Sequence, residues 1–457
     1  MAGRLARVWQ ALFTTHPART TVMAFATVIL GGTILLTLPL ASGDGSATGI
    51  VTALFTATSA VCVTGLVVVD TGTHWSGFGQ GVILTLIQVG GFGIMTMASL
   101  LALLVSGKLR LRMQLTAAAE TKSLGLGDVR RVLLGVAGTT AAVELTVWAW
   151  LALRFRYGYG MPIGESVYHG FFHAVSAFNN AGFALQADSL TRYATDAWVT
   201  LPIAVAVILG GIGFPVLLEL LRHRTRRRTT GRRGWSLHTK LTLVTTAALL
   251  VTGTVLTCLL EWGNRGTLGQ FTWGEKLLNG FVHSVMTRSG GFNTIDVGSL
   301  EHATLLTTCA LMFIGGGSAG TAGGIKVTTF AVLAAAMVAE VRGEPNSTIM
   351  GRRLAPHALR QALTVALLGV GIVISASLAL MTVVKAPFEV VLFEAVSAFG
   401  VNGLSAGVSA DLSVPGQLIV VVLMFVGRLG PVTLVSALAL RERTRRYELP
   451  EERPVIG

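Results

Sequence analysis

The sequence predicts an all-α polytopic membrane protein, on the basis of its apolar composition, the positions of its charges and a fourfold internal repeat. Of the 457 residues 52% are hydrophobic and only 12% are charged, whereas soluble domains have about a quarter charged residues. Segments such as 21–40, 199–221 and 241–260 reach or approach the roughly 20 mainly apolar residues that span a bilayer as a helix. The period-2 alternation of barrel strands is absent, so the spans are predicted to be helices.

The basic residues give a net charge of +13 and lie between the apolar segments. Other connecting segments carry acids instead, such as Asp70, Glu165 and Asp296. This positive-inside pattern is typical of a multi-pass protein of the cell membrane, and it explains the charge without a nucleic-acid partner. Both chain ends are expected in the cytoplasm, and the first apolar run is expected to be retained as a helix, since no cleavage site follows it. The basic clusters lie at 4–19, 108–131, 222–233, 352–360 and 441–446.

Two glycine motifs recur four times in register. The first ends a short apolar segment, and its glycines are separated by 117, 109 and 112 residues. The second lies in the apolar run that follows, 24 to 28 residues later. The glycines of the first motif are Gly65, Gly182, Gly291 and Gly403, and the second motif begins at Gly90, Gly210, Gly315 and Gly427.

Each repeat is predicted to contain a spanning helix, a short apolar segment and a second spanning helix, which makes eight spanning helices. The short segments cannot cross a bilayer, so each must enter and leave on one side as a pore loop. Non-helical backbone at membrane depth is tolerated only where it is buried in protein or lines a water-filled cavity. Four such loops around a pseudo-fourfold axis predict a pore. The repeats are expected at 20–106, 130–222, 238–341 and 356–441, with short segments at 52–63, 167–179, 275–287 and 387–399.

The residues around the first glycine motif suit a filter for cations. Rings of backbone carbonyls can replace the hydration shell of an ion, and a residue without a Cβ permits the conformations that turn carbonyls toward an axis. The preceding half-helix points its partly negative C-terminal end at the same place. A single such glycine is more often a packing residue or a helix C-cap, but four in register favour the filter. The candidate ion-binding residues are Val63, Thr64, Gly65, Asn180, Ala181, Gly182, Ser289, Gly290, Gly291, Val401, Asn402 and Gly403.

These segments resemble the Trk/Ktr/HKT superfamily of potassium transporters. The resemblance rests on residues 63–70, 179–183, 287–296 and 401–405 and extends over nearly the whole chain. One helix precedes the first loop, with no extra N-terminal pair, so the start is more similar to the Ktr-type membrane subunit than to the longer Trk-type one.

The resemblance implies potassium uptake across the cytoplasmic membrane through a single ring of glycines, whose carbonyls bind K⁺. It also implies a homodimer with one pore per subunit and a cytoplasmic ring of nucleotide-binding regulatory subunits. Potassium is then the substrate, and the resemblance leaves open whether sodium acts as an activator. The alternative is a Trk-type or sodium-permeable relative. In the superfamily a serine in place of the first-repeat glycine tends to accompany sodium passage, so Gly65 favours potassium.

Glycine and polar residues interrupt the second helix of the third repeat, over residues 315–326. Glycine costs about 1 kcal/mol per interior helix position relative to alanine, so this stretch is predicted to be unwound. It resembles the intramembrane gating loop of the superfamily, and the alternative is a glycine-rich packing face. Its formal G-x-G-x-x-G match has no preceding strand and does not predict a dinucleotide site. The candidate gate residues are Gly315, Gly316, Gly317, Ser318, Gly320, Gly323, Gly324, Lys326 and Arg428.

Arg428 is predicted to face the pore, because an arginine at membrane depth is costly unless it faces protein or water. In the superfamily an arginine here raises the barrier to cations, and the alternative is an arginine that snorkels near a helix end. For Lys326 a cytoplasmic anchor and a partner of the loop are equally consistent. Arg288 is expected to brace the third pore loop, since its donor fork can tie carbonyls outside the filter.

No resident metal or cofactor is predicted. Cys62, Cys258 and Cys309 lie in apolar surroundings at irregular spacing, too few for a disulfide framework or a structural zinc site. His169 and His173 are four residues apart on the second short segment, but no carboxylate or third ligand accompanies them, so packing is favoured.

The competing class is a membrane-embedded enzyme, which would need convergent acids, bases or metal ligands inside the bilayer. Acidic residues are sparse and scattered in the apolar segments, so no enzymatic activity is predicted. Asn179, Asn180 and Asn402 beside the filter glycines either hold the loops or coordinate ions, or are satisfied core amides.

Regulation is expected from a separate soluble subunit. The sequence has no Walker-type motif, and the linkers between its helices are short and basic. An acidic face of the partner would dock on the linkers around 222–233 and 441–446. Topology alone is an alternative explanation of these linkers.

Overall fold

The computed structural model describes residues 17–114, 126–226 and 235–430. The predicted end of the fourth repeat, the 441–446 cluster and most of the 222–233 linker lie outside these residues. The described part is almost entirely helical, in agreement with the predicted fold class. The helices are α1 (Pro17–Thr37), α2 (Ile50–Cys62), α3 (Gly77–Gln114), α4 (Leu126–Tyr159), α5 (Ile163–Phe178), α6 (Ala197–Ile212), α7 (Phe214–Arg226), α8 (Leu237–Glu261), α9 (Trp273–Met286), α10 (His302–Phe313), α11 (Val327–Val341), α12 (Pro356–Met381), α13 (Phe388–Gly400) and α14 (Val414–Leu429).

A small hairpin departs from the all-helical prediction. Strand β1 (Thr348–Ile349) pairs with the antiparallel strand β2 (Arg352–Arg353) in the linker between α11 and α12. Met350 and Gly351 at its tip have φ of +49° and +75°, as a two-residue type I′ turn requires. Short 3₁₀ turns lie at Pro39–Ala41, Thr191–Tyr193, Leu268–Gln270, Val297–Ser299 and Ser409–Asp411.

Four short helices, α2, α5, α9 and α13, coincide with the four predicted short segments. They contain 13 to 16 residues, whereas a spanning helix needs about 20. Their starts have recognisable signals: Thr272 and Glu275 form a capping box at α9, and Pro162 and Pro387 directly precede α5 and α13. The later turns of all four are buried.

Each short helix packs against the second helix of the preceding repeat. α5 packs on α3, α9 on α6 and α13 on α10, and α2 packs on α14 of the fourth repeat. The first and last repeats are therefore neighbours, and the contacts close a ring. This ring brings the C-terminal ends of the four short helices to one centre.

The outer helices present apolar side chains to the outside of the molecule. Leu259 on α8 is 72% exposed and Leu378 on α12 is 62% exposed, as expected of surfaces in contact with lipid. Among the described residues three helices are long and apolar enough to cross a membrane: Leu133–Tyr159, Leu237–Glu261 and Pro356–Met381. A bent pair, Ala197–Ile212 with Phe214–Leu221, makes a fourth if it is one span. The count of eight spans stays a prediction, because the other helices of the described residues contribute apolar stretches of only 10–17 residues.

The predicted single span at 199–221 is wrong in one respect. It divides at Gly213 into α6 and α7, which meet at an angle of 102°. Gly213 has φ of +96°, and Pro215 follows two residues later. A Cβ at Gly213 would lie 2.4 Å from the carbonyl oxygen of Ser318. The bend therefore makes room for the interrupted segment of the third repeat.

Candidate functional site

The four glycines of the first motif have backbone conformations that other residues rarely adopt. The φ angle is +93° at Gly65, +68° at Gly182, +74° at Gly291 and +94° at Gly403. A Cβ disfavours such values. The backbone alone therefore favours glycine at all four positions.

The same glycines lie against one another in a closed ring, called the glycine ring below. A Cβ added to Gly65 would lie 3.1 Å from the Cα of Gly182, and one added to Gly182 would lie 2.7 Å from the Cα of Gly291. A Cβ added to Gly403 would lie 3.1 Å from the Cα atoms of both Gly291 and Gly65. No side chain fits between neighbouring glycines of this ring, so only main-chain atoms line it.

Carbonyl oxygens reach the ring from the residue before each glycine. Each of these oxygens lies close to the position that a Cβ would occupy on the neighbouring ring glycine. These distances are 2.4 Å from Gly65 to the oxygen of Ala181, 3.3 Å from Gly182 to Gly290, 2.7 Å from Gly291 to Asn402 and 2.2 Å from Gly403 to Thr64. One carbonyl per repeat therefore meets the ring, an arrangement that can replace the hydration shell of a bare cation.

A left-handed residue stands two positions before each ring glycine. Asparagine tolerates this conformation, whereas a β-branched valine adopts it only under strain. The conformation recurs in all four repeats and is strained at the two valines; the four residues are Val63 (φ +59°), Asn180 (+60°), Ser289 (+71°) and Val401 (+53°).

Serines that are absent from the candidate residues help to end three of the short helices. The backbone N–H of the residue before the ring glycine donates to a serine carbonyl, the bond that closes a Schellman motif. In the third repeat Gly290 instead donates to Met286 at 2.9 Å. Serine stands six residues before the ring glycine in these three repeats, although the bond uses only its backbone carbonyl. The pairs are Thr64 with Ser59 at 2.7 Å, Ala181 with Ser176 at 2.7 Å and Asn402 with Ser397 at 2.8 Å.

The second glycine motif lets each second helix approach a short helix closely. A Cβ at Gly90 would lie 1.9 Å from the carbonyl oxygen of Val61, at the end of α2. The corresponding distances are 1.9 Å from Gly210 to Phe178 and 2.0 Å from Gly427 to Phe399. The third repeat differs, because a Cβ at Gly315 would instead meet the carbonyl of Gly323 at 1.9 Å.

The segment from Gly315 to Lys326, called the loop below, separates α10 from α11, as the glycine content predicts. At its neck the N–H of Gly315 donates to the carbonyl of Ile325 at 2.9 Å. Its body lies against the end of α6: the N–H of Gly317 donates to Gly211 at 2.7 Å and that of Thr321 donates to Gly210 at 3.1 Å. The loop is therefore a folded insertion with its own hydrogen bonds.

Two basic side chains bind loop carbonyls. Arg428 is 5% exposed, and its guanidinium donates to the carbonyl of Thr321 and, at 3.4 Å, to that of Gly90. Its Nε has no hydrogen-bond partner, and no carboxylate of the described residues pairs with it. Lys326 donates from Nζ to the carbonyl of Ala322 at 2.5 Å, so it acts as a partner of the loop. An unpaired buried charge thus stands against the loop.

Arg288 uses its donor fork as expected, but on other carbonyls than those of its own pore loop. Its Nη1 donates to Thr246 of α8 at 3.1 Å and its Nη2 donates to Gly315 at 2.9 Å. Because Arg288 directly precedes Ser289, it ties the third predicted filter segment to the neck of the loop.

Asn179 belongs to a buried polar cluster behind the second predicted filter segment, and its partners Gln88 and Glu144 are absent from the candidate residues. Asn179 donates from Nδ2 to Gln88 at 2.8 Å and to Glu144 at 3.0 Å, and Gln88 donates to the same carboxylate at 3.3 Å. The three residues come from α3, α4 and the end of α5, so no local pattern links them. Asn402 donates to the carbonyl of Met286 at 3.1 Å, which joins the third and fourth segments.

The histidine pair packs among aromatic rings. His173 is buried, its Nδ1 lies 2.8 Å from the carbonyl oxygen of His169, and its ring stacks on Phe292. Gln186 Nε2 lies 3.1 Å from Nδ1 of His169. Throughout the described residues no group of three or more His, Cys, Asp or Glu is placed to hold a metal ion. All three cysteines are buried free thiols.

A family model described as TrkH: Cation transport protein matches residues 5–443 of the chain. The chain belongs to this family. It is 38% identical to the Ktr system potassium uptake protein B of Bacillus subtilis over 432 residues, which cover 94% of this chain and 95% of that protein. It is also 34% identical to the Potassium/sodium uptake protein NtpJ of Enterococcus hirae, over 96% of this chain and 97% of the relative.

The fold is shared with a solved structure of the family. The crystal structure of the potassium transporter TrkH from Vibrio parahaemolyticus superimposes with a TM-score of 0.68 at 17% identity, over 91% of this chain and 85% of that one. Family membership and fold confirm the superfamily resemblance and the helical membrane fold. The relatives are ion transporters and not enzymes, as the scattered acidic residues predict.

Proposed function

We propose that this chain takes up potassium across the cell membrane through the glycine ring. The observation that carries the proposal is the closed contact of four glycines, one from each repeat, with a backbone carbonyl beside each. Backbone carbonyls are strong ligands for a dehydrated alkali cation, and glycine leaves them unobstructed. Several relatives are named as potassium uptake proteins. Binding of K⁺ by backbone carbonyls needs no side-chain ligand.

The loop and Arg428 supply the barrier in this proposal. The loop hydrogen-bonds to the end of α6 beside the second filter segment, and Arg428 places a buried positive charge against it. A cation that passes the glycine ring meets both a steric obstacle and an electrostatic one. Passage then requires part of the loop to move.

The test is ion flux in liposomes that contain the purified chain, with Gly65→Ser as the variant. A serine at this position places its Cβ 2.4 Å from the carbonyl oxygen of Ala181. The displaced carbonyl should lower the ratio of potassium to sodium flux about fivefold or more, if one ligand contact is worth about 1 kcal/mol. Gly164→Ser is the matched control, because a Cβ at Gly164 meets nothing within 4 Å. An unchanged flux ratio in the Gly65 variant would count against the filter.

A sodium-permeable or Trk-type transporter is the second candidate. One relative is named as a potassium/sodium uptake protein. The wild-type flux ratio decides between the two, since a sodium-permeable pore gives similar fluxes for both ions. Uptake of potassium with and without external sodium tests sodium as an activator.

Assembly completes the proposal: a homodimer with one pore per subunit, both chain ends in the cytoplasm and a separate nucleotide-binding ring that controls the loop. The support is the superfamily resemblance, together with basic linkers that suit an acidic partner. The mass of the detergent-solubilised chain tests the dimer. Flux from the isolated chain should not respond to ATP or ADP, and a response without a partner would refute external control.

A further inference from the structure

The loop touches the filter itself as well as lying across the pathway. The hydroxyl of Thr321 donates to the side-chain oxygen of Asn180 at 2.7 Å. The N–H of Gly323 donates to the hydroxyl of Ser289 at 3.2 Å, and that hydroxyl donates onward to the carbonyl of Val401 at 2.6 Å. All these atoms are buried. Three filter segments are thus bonded to the loop, directly or through one hydroxyl.

The bonded residues are the left-handed ones. Asn180, Ser289 and Val401 each stand two positions before a ring glycine and have positive φ. Residues in this conformation persist when their surroundings hold them there, and a β-branched residue such as Val401 needs that support most. A Cβ at Gly323 would lie 2.4 Å from the Cβ of Val401, so the loop also packs directly on this strained residue.

The first filter segment is held differently. Among the described residues no hydrogen bond joins the loop to Val63 or its neighbours in the ring. The link to the first repeat runs through Arg428, which donates to both Thr321 of the loop and Gly90 of α3. The loop is therefore linked to the first repeat only through Arg428, whereas its hydrogen bonds reach the filter in the other three.

We infer that the loop is a structural part of the filter as well as its barrier, with Thr321 and Ser289 as positioning residues, so that cation selectivity depends on their hydrogen bonds to the loop. This inference rests on the proposed function. Its physical basis is that the ring carbonyls follow directly after the left-handed residues, so a change of φ at Asn180 or Val401 reorients them. A loop that acted only as an obstacle would alter the amount of flux without altering which ion passes.

The experiment compares Thr321→Val and Ser289→Ala with Thr328→Val in liposomes under potassium and sodium gradients. The Thr328 hydroxyl bonds to Ser318 of the loop at 3.1 Å, so its variant removes a loop bond that does not reach the filter. Loss of one buried hydrogen bond should lower the ratio of potassium to sodium flux about fivefold in the first two variants. The ratio in Thr328→Val should stay within about twofold of wild type, on the same scale.

Thr321→Ser retains the hydroxyl and should restore the wild-type ratio, which a general packing defect at Thr321 would not. Size-exclusion elution identifies a variant that has not folded. If Thr321→Val does not fold, the result for Ser289→Ala decides the test. Unchanged ratios in the folded Thr321 and Ser289 variants would overturn the inference. If Gly65→Ser still changes the flux ratio when the Thr321 and Ser289 variants do not, only the loop inference is refuted. If Gly65→Ser also leaves the ratio unchanged, the filter proposal is refuted as well.

Discussion

At the glycine ring the four repeats share one design: a short helix, a left-handed residue, one carbonyl and a glycine with positive φ. At the second glycine motif the repeats diverge. α3 runs through Gly90 without a break, whereas α6 ends at a 102° bend and α10 ends at the loop. In α14 the motif carries Arg428, which no other repeat has at this place. Sequence similarity among the repeats therefore differs between two adjacent levels of the proposed pathway.

The two levels have different physical requirements. A dehydrated cation has to be surrounded, so every repeat must supply an equivalent carbonyl. A barrier needs only one obstacle in the path, so a single repeat can be modified while the others provide its seat. The loop comes from the third repeat, its seat from the second and its positive charge from the fourth.

The largest effect is expected when an alanine replaces any ring glycine. A Cβ at Gly182 would lie 2.7 Å from the Cα of Gly291, and backbone atoms cannot rotate away as a side chain can. We expect Gly65→Ala, Gly182→Ala, Gly291→Ala and Gly403→Ala each to lower potassium flux in liposomes about tenfold or more, with folded protein at size-exclusion elution. Comparable losses at all four positions would support equivalence. A large loss of flux at one position together with normal flux at another would contradict the equivalence of the four glycines.

A smaller effect, on stability, is expected at the second motif. Gly90→Ala places a Cβ 1.9 Å from the carbonyl of Val61, and overpacking of this kind costs roughly 1–3 kcal/mol. Gly93→Ala on the same helix meets nothing within 4 Å and should be neutral or stabilising by up to about 1 kcal/mol. Thermal unfolding in detergent measures both. Equal unfolding temperatures for the two variants would contradict the close helix contact.

Removal of the charge at Arg428 should raise flux. Arg428→Gln deletes the positive charge while its amide can still donate to the carbonyl of Thr321. A unit charge a few ångströms from an ion contributes on the order of 1 kcal/mol even when screened by water, so potassium flux should rise roughly fivefold. The glycine ring variants serve as the opposite case, with potassium flux lowered. A fall in flux in folded Arg428→Gln would place the barrier elsewhere.

The smallest effect is expected from Arg288→Lys. A single ammonium cannot bridge the carbonyls of Thr246 and Gly315 as the fork does, but the charge remains. Looser anchoring of the loop neck should raise potassium flux about twofold, on the scale of a fraction of one hydrogen bond. Arg192→Lys, at an exposed side chain beside α6, is a matched control. A flux change in Arg288→Lys as large as that in Arg428→Gln would show that anchoring of the loop neck matters as much for flux as the charge of Arg428.

Much of the fold follows from the sequence. Apolar runs and their interruptions predict the helices, the glycine spacing predicts four short segments, and the glycines from Gly315 to Gly324 predict the loop. These features depend on local composition, since hydropathy and glycine content act within one or two helical turns. The bend at Gly213 had a local signal as well, in the proline two residues later.

Tertiary structure alone decided which atoms meet. The carbonyl of Ala181 lies beside Gly65, Glu144 joins Gln88 and Asn179, and Arg428 reaches Gly90 across 338 residues of chain. No periodic pattern in the sequence predicts such contacts, because they depend on the register in which distant repeats pack. The left-handed conformation at Val63 and Val401 is a stronger case, since local propensity opposes it. The sequence by itself therefore determined the repeating parts, and only the closed packing of those parts decided how they hold one another, because that packing supplies the hydrogen bonds and steric limits that offset local strain.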